Sequence, residues 1–451
     1  MKRKLIKIIE EYAQKGHFYT SYPTESNWRN DFSSEEYASA LKQFAASEKS
    51  LFIYSHFPFC GSKCYFCMCR SNVQKINQKD SLLEKFFKYS GEEIEMLKDV
   101  LNKKNRLKIK GLHIGGGSPS AMNMDEFNRY VNNLMGLIDI ENLEEFTLEI
   151  DPRTVDKEKL KFYQEIGVNR ASFGIQDFNL EVQKAVNRIH SFEEIKDLMS
   201  PEIRKGFKSI NFDIICGLPL QTRKSFEETI ERVKELSPDR ICLYNYAHNP
   251  EVYKVQNAIK KSEIPETRER IDMILDSRKN LENSGYISVG IDHFAKPHDE
   301  LAKALSKKMI SRNFNGYHPG RAKNLIGLGP SGSSSFNRYY SQNVFLLKDY
   351  FDLIEKGKFP ILKGYKLDND DLIRREVIEL IMCNGNLDFS EIEKKHDIKF
   401  EKYFQKEIKE LKKFSEERII NHDAESIKIT EFGKIFVPLV CSVFDKFLKR
   451  N

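Results

Sequence analysis

The sequence predicts an α/β fold: a partial (β/α) barrel with parallel strands, preceded by an N-terminal arm and followed by a mainly helical C-terminal domain. Two observations predict it. From residue 51 short apolar runs alternate with longer amphipathic stretches, and strand-then-helix alternation at this spacing builds βα units with parallel strands. Directly after the first run comes a loop with four cysteines, where such barrels place chemistry, at the carboxyl ends of their strands. The expected division is an arm over 1–45, a barrel over 46–345 and a helical domain over 346–451.

Taken in order, the first ten residues, Met1-Lys-Arg-Lys-Leu-Ile-Lys-Ile-Ile-Glu10, read as a solvated helix. Their apolar run is too short and too broken by charge for a signal peptide. Tyr19-Thr-Ser-Tyr-Pro-Thr24 is too polar for a buried strand and too rich in β-branched and aromatic residues for a helix, so it reads as an ordered arm on a domain surface. The strand candidates are Leu51–His56, Ile109–Ile114, Glu145–Ile150, Arg170–Ile175, Ser209–Ile215, Arg240–Asn245 and Tyr286–Gly290. Between them lie amphipathic stretches: Ser81–Leu101, Asp125–Leu137, Asp156–Ile166, Phe192–Met199, Lys224–Leu236 and Glu269–Glu282. Residues 366–451 read as helices with a short β pair near Ile419–Thr430. A helix through Glu407–Lys413 followed by that pair suggests a winged-helix-like arrangement, and the modest charge favours a helical cover over the barrel mouth rather than a DNA-binding module.

With 451 residues the chain can hold two or three domains and a large core. Hydrophobic residues make up 40% and charged residues 31%, and no apolar run is long enough for a membrane span, so no membrane partner is expected. The net charge of +6, from 73 basic and 67 acidic residues, is too small to imply nucleic acid. Lysine-rich stretches such as Lys406–Lys413 alternate with acids and read as solvated helix faces. The expected location is the cytoplasm, where thiols stay reduced.

His56-Phe-Pro-Phe-Cys-Gly-Ser-Lys-Cys-Tyr-Phe-Cys-Met-Cys69 carries Cys60, Cys64, Cys67 and Cys69, half of the chain's eight cysteines. The first three have the C-x3-C-x2-C spacing that ligates a [4Fe–4S] cluster in radical S-adenosylmethionine (SAM) enzymes. Three thiolates leave one iron free to be chelated by SAM. Structural zinc usually joins two separated C-x2-C knuckles, and there is no second knuckle. A disulfide framework belongs to small folds in oxidising compartments.

Gly115-Gly-Gly-Ser-Pro119 follows the second strand. Its glycines allow close backbone approach, and its successive N–H groups are expected to bind an anionic group, such as the carboxylate of SAM. Glu149 ends the third strand, Gln176 and Asp177 the fourth, and Asp213 lies inside the fifth. These groups either bind ribose hydroxyls and the methionyl group or cap loops. Arg188 is a candidate carboxylate anchor, with a plain surface arginine as the alternative. His293 reads as a core histidine, and Cys216, Cys242, Cys383 and Cys441 as buried small hydrophobes.

Together these residues resemble the oxygen-independent coproporphyrinogen III oxidase (dehydrogenase) family of radical SAM enzymes. The resemblance runs through Tyr19–Thr24, His56–Cys69, Gly115–Pro119, Glu149–Arg153, Asn169–Phe178, Asn211–Pro219, Asn245–His248, Asp292–Ala295, Arg312–Tyr317 and Ile381–Asp388. Cys69 is the discriminating mark, because the related heme-chaperone-like proteins typically lack it. The resemblance implies a radical SAM barrel in which Cys60, Cys64 and Cys67 ligate the cluster while Cys69 and Tyr54 serve catalysis. It implies two SAM molecules: Tyr54, Gly116, Glu149 and Ser333 at the one on the cluster, and Phe66, Gly117, Ser118, Gln176, Arg188, Asp213 and Ala247 at the second. The implied reaction converts two propionates of coproporphyrinogen III to vinyl groups in heme biosynthesis. The implied partners are this tetrapyrrole and an unidentified electron donor, and the implied state is a monomer.

Three positions depart from the family pattern: Phe18 for arginine, His318-Pro319 for Thr-Thr, and Ser333 for isoleucine. The last loses an apolar contact worth roughly 1–3 kcal/mol. These departures leave two alternatives: a divergent radical SAM methyltransferase or tetrapyrrole-modifying enzyme, and a heme-trafficking protein, against which Cys69 argues.

Overall fold

The structure is a computed structural model and describes residues 19–46, 50–73, 81–101, 108–320 and 324–448. The helix expected over the first ten residues and the departure at Phe18 lie outside the described residues. The chain forms two compact units, each discontinuous in sequence: Asn30–Gly285 with Lys323–Tyr365, and Met1–Arg29 with Tyr286–Ala322 and Lys366–Asn451.

The first unit is built on strands β1 (Leu51–Phe57), β2 (Ile109–Gly116), β3 (Glu145–Ile150), β4 (Arg170–Gln176), β5 (Ser209–Cys216), β6 (Arg240–Asn245), β7 (Asn324–Leu328), β8 (Ser333–Phe336), β9 (Tyr339–Asn343) and β10 (Ile361–Lys366). Their order is β10-β9-β8-β7-β1-β2-β3-β4-β5-β6. From β7 to β6 every neighbouring pair is parallel. β8 pairs antiparallel with both β7 and β9. The seventh parallel strand is therefore β7, beside β1, and not the expected Tyr286–Gly290. Within that segment Ile287–Val289 belongs to the other unit, where it pairs antiparallel with His293–Ala295.

Strand alternation sorts the side chains. Leu112, Ile114, Leu148, Ile150, Phe173, Ile175, Phe212 and Ile214 are at most 2% exposed and form one apolar face. Tyr54, His113, Glu149, Ser172, Asn211 and Asp213 fall on the opposite face, because successive strand residues point to opposite sides. The helices bury apolar stripes. Met124–Met135 starts at an Asn123/Glu126 capping box and buries Phe127, Tyr130, Val131 and Leu134, the spacing of one helical face. Ser34–Ala45 likewise starts at a Ser33/Glu36 box and buries Tyr37, Ala40, Leu41 and Phe44, with Tyr37 and Phe44 against Phe336 of β8.

In the second unit Tyr19, Tyr22 and Trp28 are buried. Tyr19 donates to Asp445 (3.0 Å), and the Lys446 N–H donates to Tyr22 (3.2 Å). Helix Asn369–Asn384 starts at an Asp368/Asp371 capping box and ends at Gly385, whose φ of 60° suits glycine. The expected β pair is present as Ile420–His422 and Ser426–Ile429. A third strand, Asn386–Asp388, flanks the latter.

Candidate active site

β1 delivers the chain to the cysteine loop. Phe57 and Phe59 are fully buried and pack edge-on against each other and Phe86, which fixes the base of the loop. The loop is also held at Tyr65, whose N–H donates to the Val186 carbonyl (2.9 Å), and at Lys63, whose carbonyl accepts from Asn187 (2.8 Å). Cys64 is buried, Cys60 and Cys67 are half-buried, and Cys69 is exposed. The Cys60 thiol donates to Ser71 Oγ (3.3 Å), and the Cys69 N–H donates to Cys67 Sγ (3.3 Å). Burial pushes Cys60 up to about 11, whereas hydrogen bonding from Cys69 holds Cys67 below the ordinary thiol value.

On the polar face beside the loop, Tyr54, His56, His113 and Glu149 form a connected group. Tyr54 Oη lies 3.2 Å from His56 Nδ1, and His113 Nε2 lies 2.9 Å from Glu149 Oε1. The Tyr54 and His113 rings are 5.5 Å apart. Burial works to raise the Glu149 carboxyl, but His113 and the Gly116 N–H (3.0 Å) outweigh it and hold the group below its ordinary value. Burial and the Glu149 charge push the Tyr54 phenol well up, and burial lowers His56. His113 escaped the sequence reading, although its place between Leu112 and Ile114, both core residues, puts it on the face opposite the core.

The glycine turn differs from expectation. Its N–H groups are engaged within the protein: Gly116 with Glu149, Gly117 with the Phe57 carbonyl (2.8 Å) and Ser118 with the Phe59 carbonyl (2.7 Å). The missing side chains serve packing. A Cβ on Gly115 would lie 2.3 Å from Glu149 Oε1, and one on Gly117 would lie 2.3 Å from the Phe59 carbonyl oxygen. The turn clasps the root of the cysteine loop rather than offering a row of free amides.

Arg188 is buried, which excludes the surface reading. It donates to the Gly174 carbonyl (Nε 2.8 Å), to Asp151 (3.1 Å) and to Cys64 Sγ (3.4 Å), so the carboxylate it meets within the protein is Asp151. Gln176 has a left-handed φ of 71° at a register shift in β4. Gln176 Oε1 and Ser118 Oγ are buried and find no hydrogen-bond partner. Asp213 accepts from Asn211 (2.9 Å) and Ser172 (3.2 Å). Gln256, fully buried, donates to the carbonyls of both Phe66 and Ala247 (3.1 Å each), joining two segments that the sequence reading named separately. Ser333 opens β8 and accepts from Gln342 (3.2 Å). Asp177 is turned into the core, where burial raises it to about 6 while Gln221, Thr229 and the Asn179 N–H bind it. In the other unit His293 is buried against Asp292 (2.6 Å), and His318 lies 3.0 Å from Asn313 Oδ1.

Comparison with known proteins identifies the surroundings of these residues. The chain is 34% identical over 444 residues to the oxygen-independent coproporphyrinogen III oxidase of Escherichia coli, covering 98% of this chain and 95% of that one. The chain belongs to the oxygen-independent coproporphyrinogen III oxidase family. Other members of that family are similar to the same degree. The enzyme of Helicobacter pylori strain 26695 is 35% identical over 448 residues, and that of Pseudomonas aeruginosa 34% over 444. Residues 54–233 match the radical SAM superfamily and residues 367–436 the HemN C-terminal domain. The solved structure described as coproporphyrinogen III oxidase (HemN) from Escherichia coli, a radical SAM enzyme, superposes with a TM-score of 0.88 at 34% identity, over 96% of this chain and 98% of that one. The radical SAM fold of the family is thereby shown, and with it the use of a [4Fe–4S] cluster and SAM.

The donors of the cysteine loop fit such a cluster. Three thiols share one well-anchored loop, and two guanidinium groups, of Arg153 and Arg188, donate to the sulfur of Cys64. Among the described residues no group of three or more His, Cys, Asp or Glu is arranged to hold a metal ion. A four-iron cluster differs in this respect, because each thiolate binds a different iron and the sulfurs stand apart.

Proposed function

We propose that the chain is a radical SAM oxidoreductase that converts two propionates of coproporphyrinogen III to vinyl groups, giving protoporphyrinogen IX in oxygen-independent heme biosynthesis. The observation that carries this reading is the end-to-end likeness to the family, 34% identity over 98% of the chain with a TM-score of 0.88 over 96% of it. When bound, the reduced cluster and SAM would supply the one-electron chemistry for removing hydrogen from the propionate β-carbon, with loss of CO₂ and one electron to the acceptor.

The chain's own groups hold and orient. Cys60, Cys64 and Cys67 hold the cluster. Tyr54, Gly116, Glu149 and Ser333 contact the SAM on it, with Glu149 kept ionised by His113 and the Gly116 N–H. Phe66, Gly117, Ser118, Gln176, Arg188, Asp213 and Ala247 surround a second SAM. The unpartnered Ser118 Oγ and Gln176 Oε1 support this reading, since buried polar atoms without partners are costly unless a ligand completes them. Gln256 keeps the Phe66 and Ala247 segments together. Cys69, exposed beside the ligand set, acts in catalysis together with Tyr54. We place the enzyme in the cytoplasm as a monomer served by an unidentified electron donor; among the described residues no helix is long and apolar enough to cross a membrane.

The test is an anaerobic incubation with reconstituted cluster, SAM, reductant and coproporphyrinogen III, read by mass spectrometry. Two successive losses of CO₂ with two hydrogens, accompanied by 5′-deoxyadenosine, are expected. Deoxyadenosine without tetrapyrrole change would move the assignment to another radical SAM substrate, and a stable heme complex without SAM cleavage would move it to heme trafficking. Cys69→Ser is expected to keep its iron and lose turnover; loss of the cluster in that variant would make Cys69 a ligand.

A further inference from the structure

We propose that Arg153 is a positioning residue of the iron–sulfur site, which donates an N–H···S hydrogen bond to Cys64 and thereby raises the reduction potential of the bound cluster. This rests on the reading of Cys60, Cys64 and Cys67 as its ligands. Arg153 lies in the turn Pro152–Thr154, directly after β3. Its Nη2 is 3.5 Å from Cys64 Sγ, and its Nη1 donates to the Asn187 carbonyl (3.1 Å). Nε and Nη2 both reach Asp151, at 3.0 and 2.7 Å. Arg188 approaches the same sulfur at 3.4 Å and the same carboxylate at 3.1 Å.

Two cations thus converge on one buried sulfur with one carboxylate between them. The side chains of Arg153, Asp151 and Arg188 are 21%, 10% and 10% exposed, so the charges are poorly screened by water. The sulfurs of the other two ligand cysteines meet neutral donors or acceptors, the Ser71 hydroxyl at Cys60 and the Cys69 N–H at Cys67. A sulfur bound to iron keeps lone-pair density. Donors and positive charge at that density stabilise the cluster more when it carries the additional electron, and such hydrogen bonds tune iron–sulfur potentials. The planar fork of arginine suits the place, because one side chain must meet a carboxylate, a carbonyl and a sulfur at once; lysine offers a point charge only.

The experiment compares the wild type, Arg153→Gln and Arg153→Lys in the full chain, reconstituted anaerobically. Iron and sulfide content are measured first, then the midpoint potential by redox titration monitored by electron paramagnetic resonance, without substrate. Arg153→Gln is expected to hold a full cluster with a more negative midpoint. At fixed potential its ratio of reduced to oxidised cluster should fall on the order of tenfold, about 59 mV for a one-electron couple. Arg153→Lys should fall between the two. A full cluster with an unchanged midpoint in either variant overturns the proposal. If Arg153→Gln loads little iron, the Arg153→Lys midpoint decides. Cys64→Ser separates the underlying reading: a full complement of iron and sulfide in that variant would refute Cys64 as a ligand, independently of Arg153.

Discussion

Glu93 offers a sharp test of how the first unit is held together. It sits inside helix Ser81–Leu101, 2% exposed, and accepts from the Gly329 N–H (2.8 Å), Asn343 Nδ2 (3.1 Å) and Tyr350 Oη (2.7 Å). These contacts tie the helix to the turn that leads to Ser333, and Ser331 in that turn lies 3.4 Å from His56. Burial raises the Glu93 carboxyl from 4.5 to about 7, against the pull of its three donors. Below pH 4.5 folded and unfolded chains both carry the proton, and ionisation costs nothing. As pH rises further the unfolded chain releases its proton first, so stability falls until the folded chain ionises near pH 7, after which the loss is constant. At about 1.4 kcal/mol per pH unit this comes to roughly 3 kcal/mol. Glu93→Gln keeps the size and an accepting oxygen but cannot ionise. Between pH 4 and pH 8 the wild type should therefore lose stability relative to Glu93→Gln by about that amount. Urea unfolding of the cluster-free chain, followed by circular dichroism at several pH values, measures the difference. Parallel stability curves for the two proteins would refute the reasoning, for they would mean that Glu93 ionises as easily in the folded chain as in the unfolded one.

Two further outcomes follow from the site. Gly117→Ala places a Cβ 2.3 Å from the Phe59 carbonyl oxygen and 2.8 Å from that of Phe57, both backbone atoms, so the root of the cysteine loop must shift. Lower iron loading and a destabilisation of about 2 kcal/mol or more are expected, and an unchanged unfolding midpoint with full iron would show that the loop root can yield. Ser333→Ile should strengthen SAM binding roughly tenfold by restoring an apolar contact, partly offset by the lost Gln342 bond; anaerobic equilibrium dialysis that finds weaker binding would contradict the placement of Ser333 at SAM.

The strands from β1 to β6 were legible because strands of a parallel sheet carry dense apolar runs, and the helices between them carry regular stripes. β7 was not. Leu325-Ile-Gly-Leu328 is broken by a glycine, runs into Gly329-Pro-Ser-Gly332, and has no helix after it to complete a βα unit. Tyr286–Gly290 looked equally strand-like, and what separates the two segments is a partner far away in the chain, which local pattern does not encode. At the site the cysteines announced themselves through spacing. Arg153, Gln256 and Glu93 did not, since an arginine, a glutamine or a glutamate in an ordinary loop or helix reveals its importance only when its bonding partners are known. The glycine turn was legible as a turn but misread in detail, because its amides find their acceptors in β1's own continuation and in Glu149.

The pairing of β7 with β1 also has a bearing on biogenesis. Leu51 meets Asn324, some 270 residues later in the chain. At about 5–20 residues per second a ribosome needs roughly 15–50 s to make that interval. Throughout it, the strand that bears the cysteine loop has one side without its eventual neighbour, open to wrong pairing with another nascent chain. Metal delivery to the loop during synthesis would meet a half-supported strand, whereas delivery after release would meet the finished sheet.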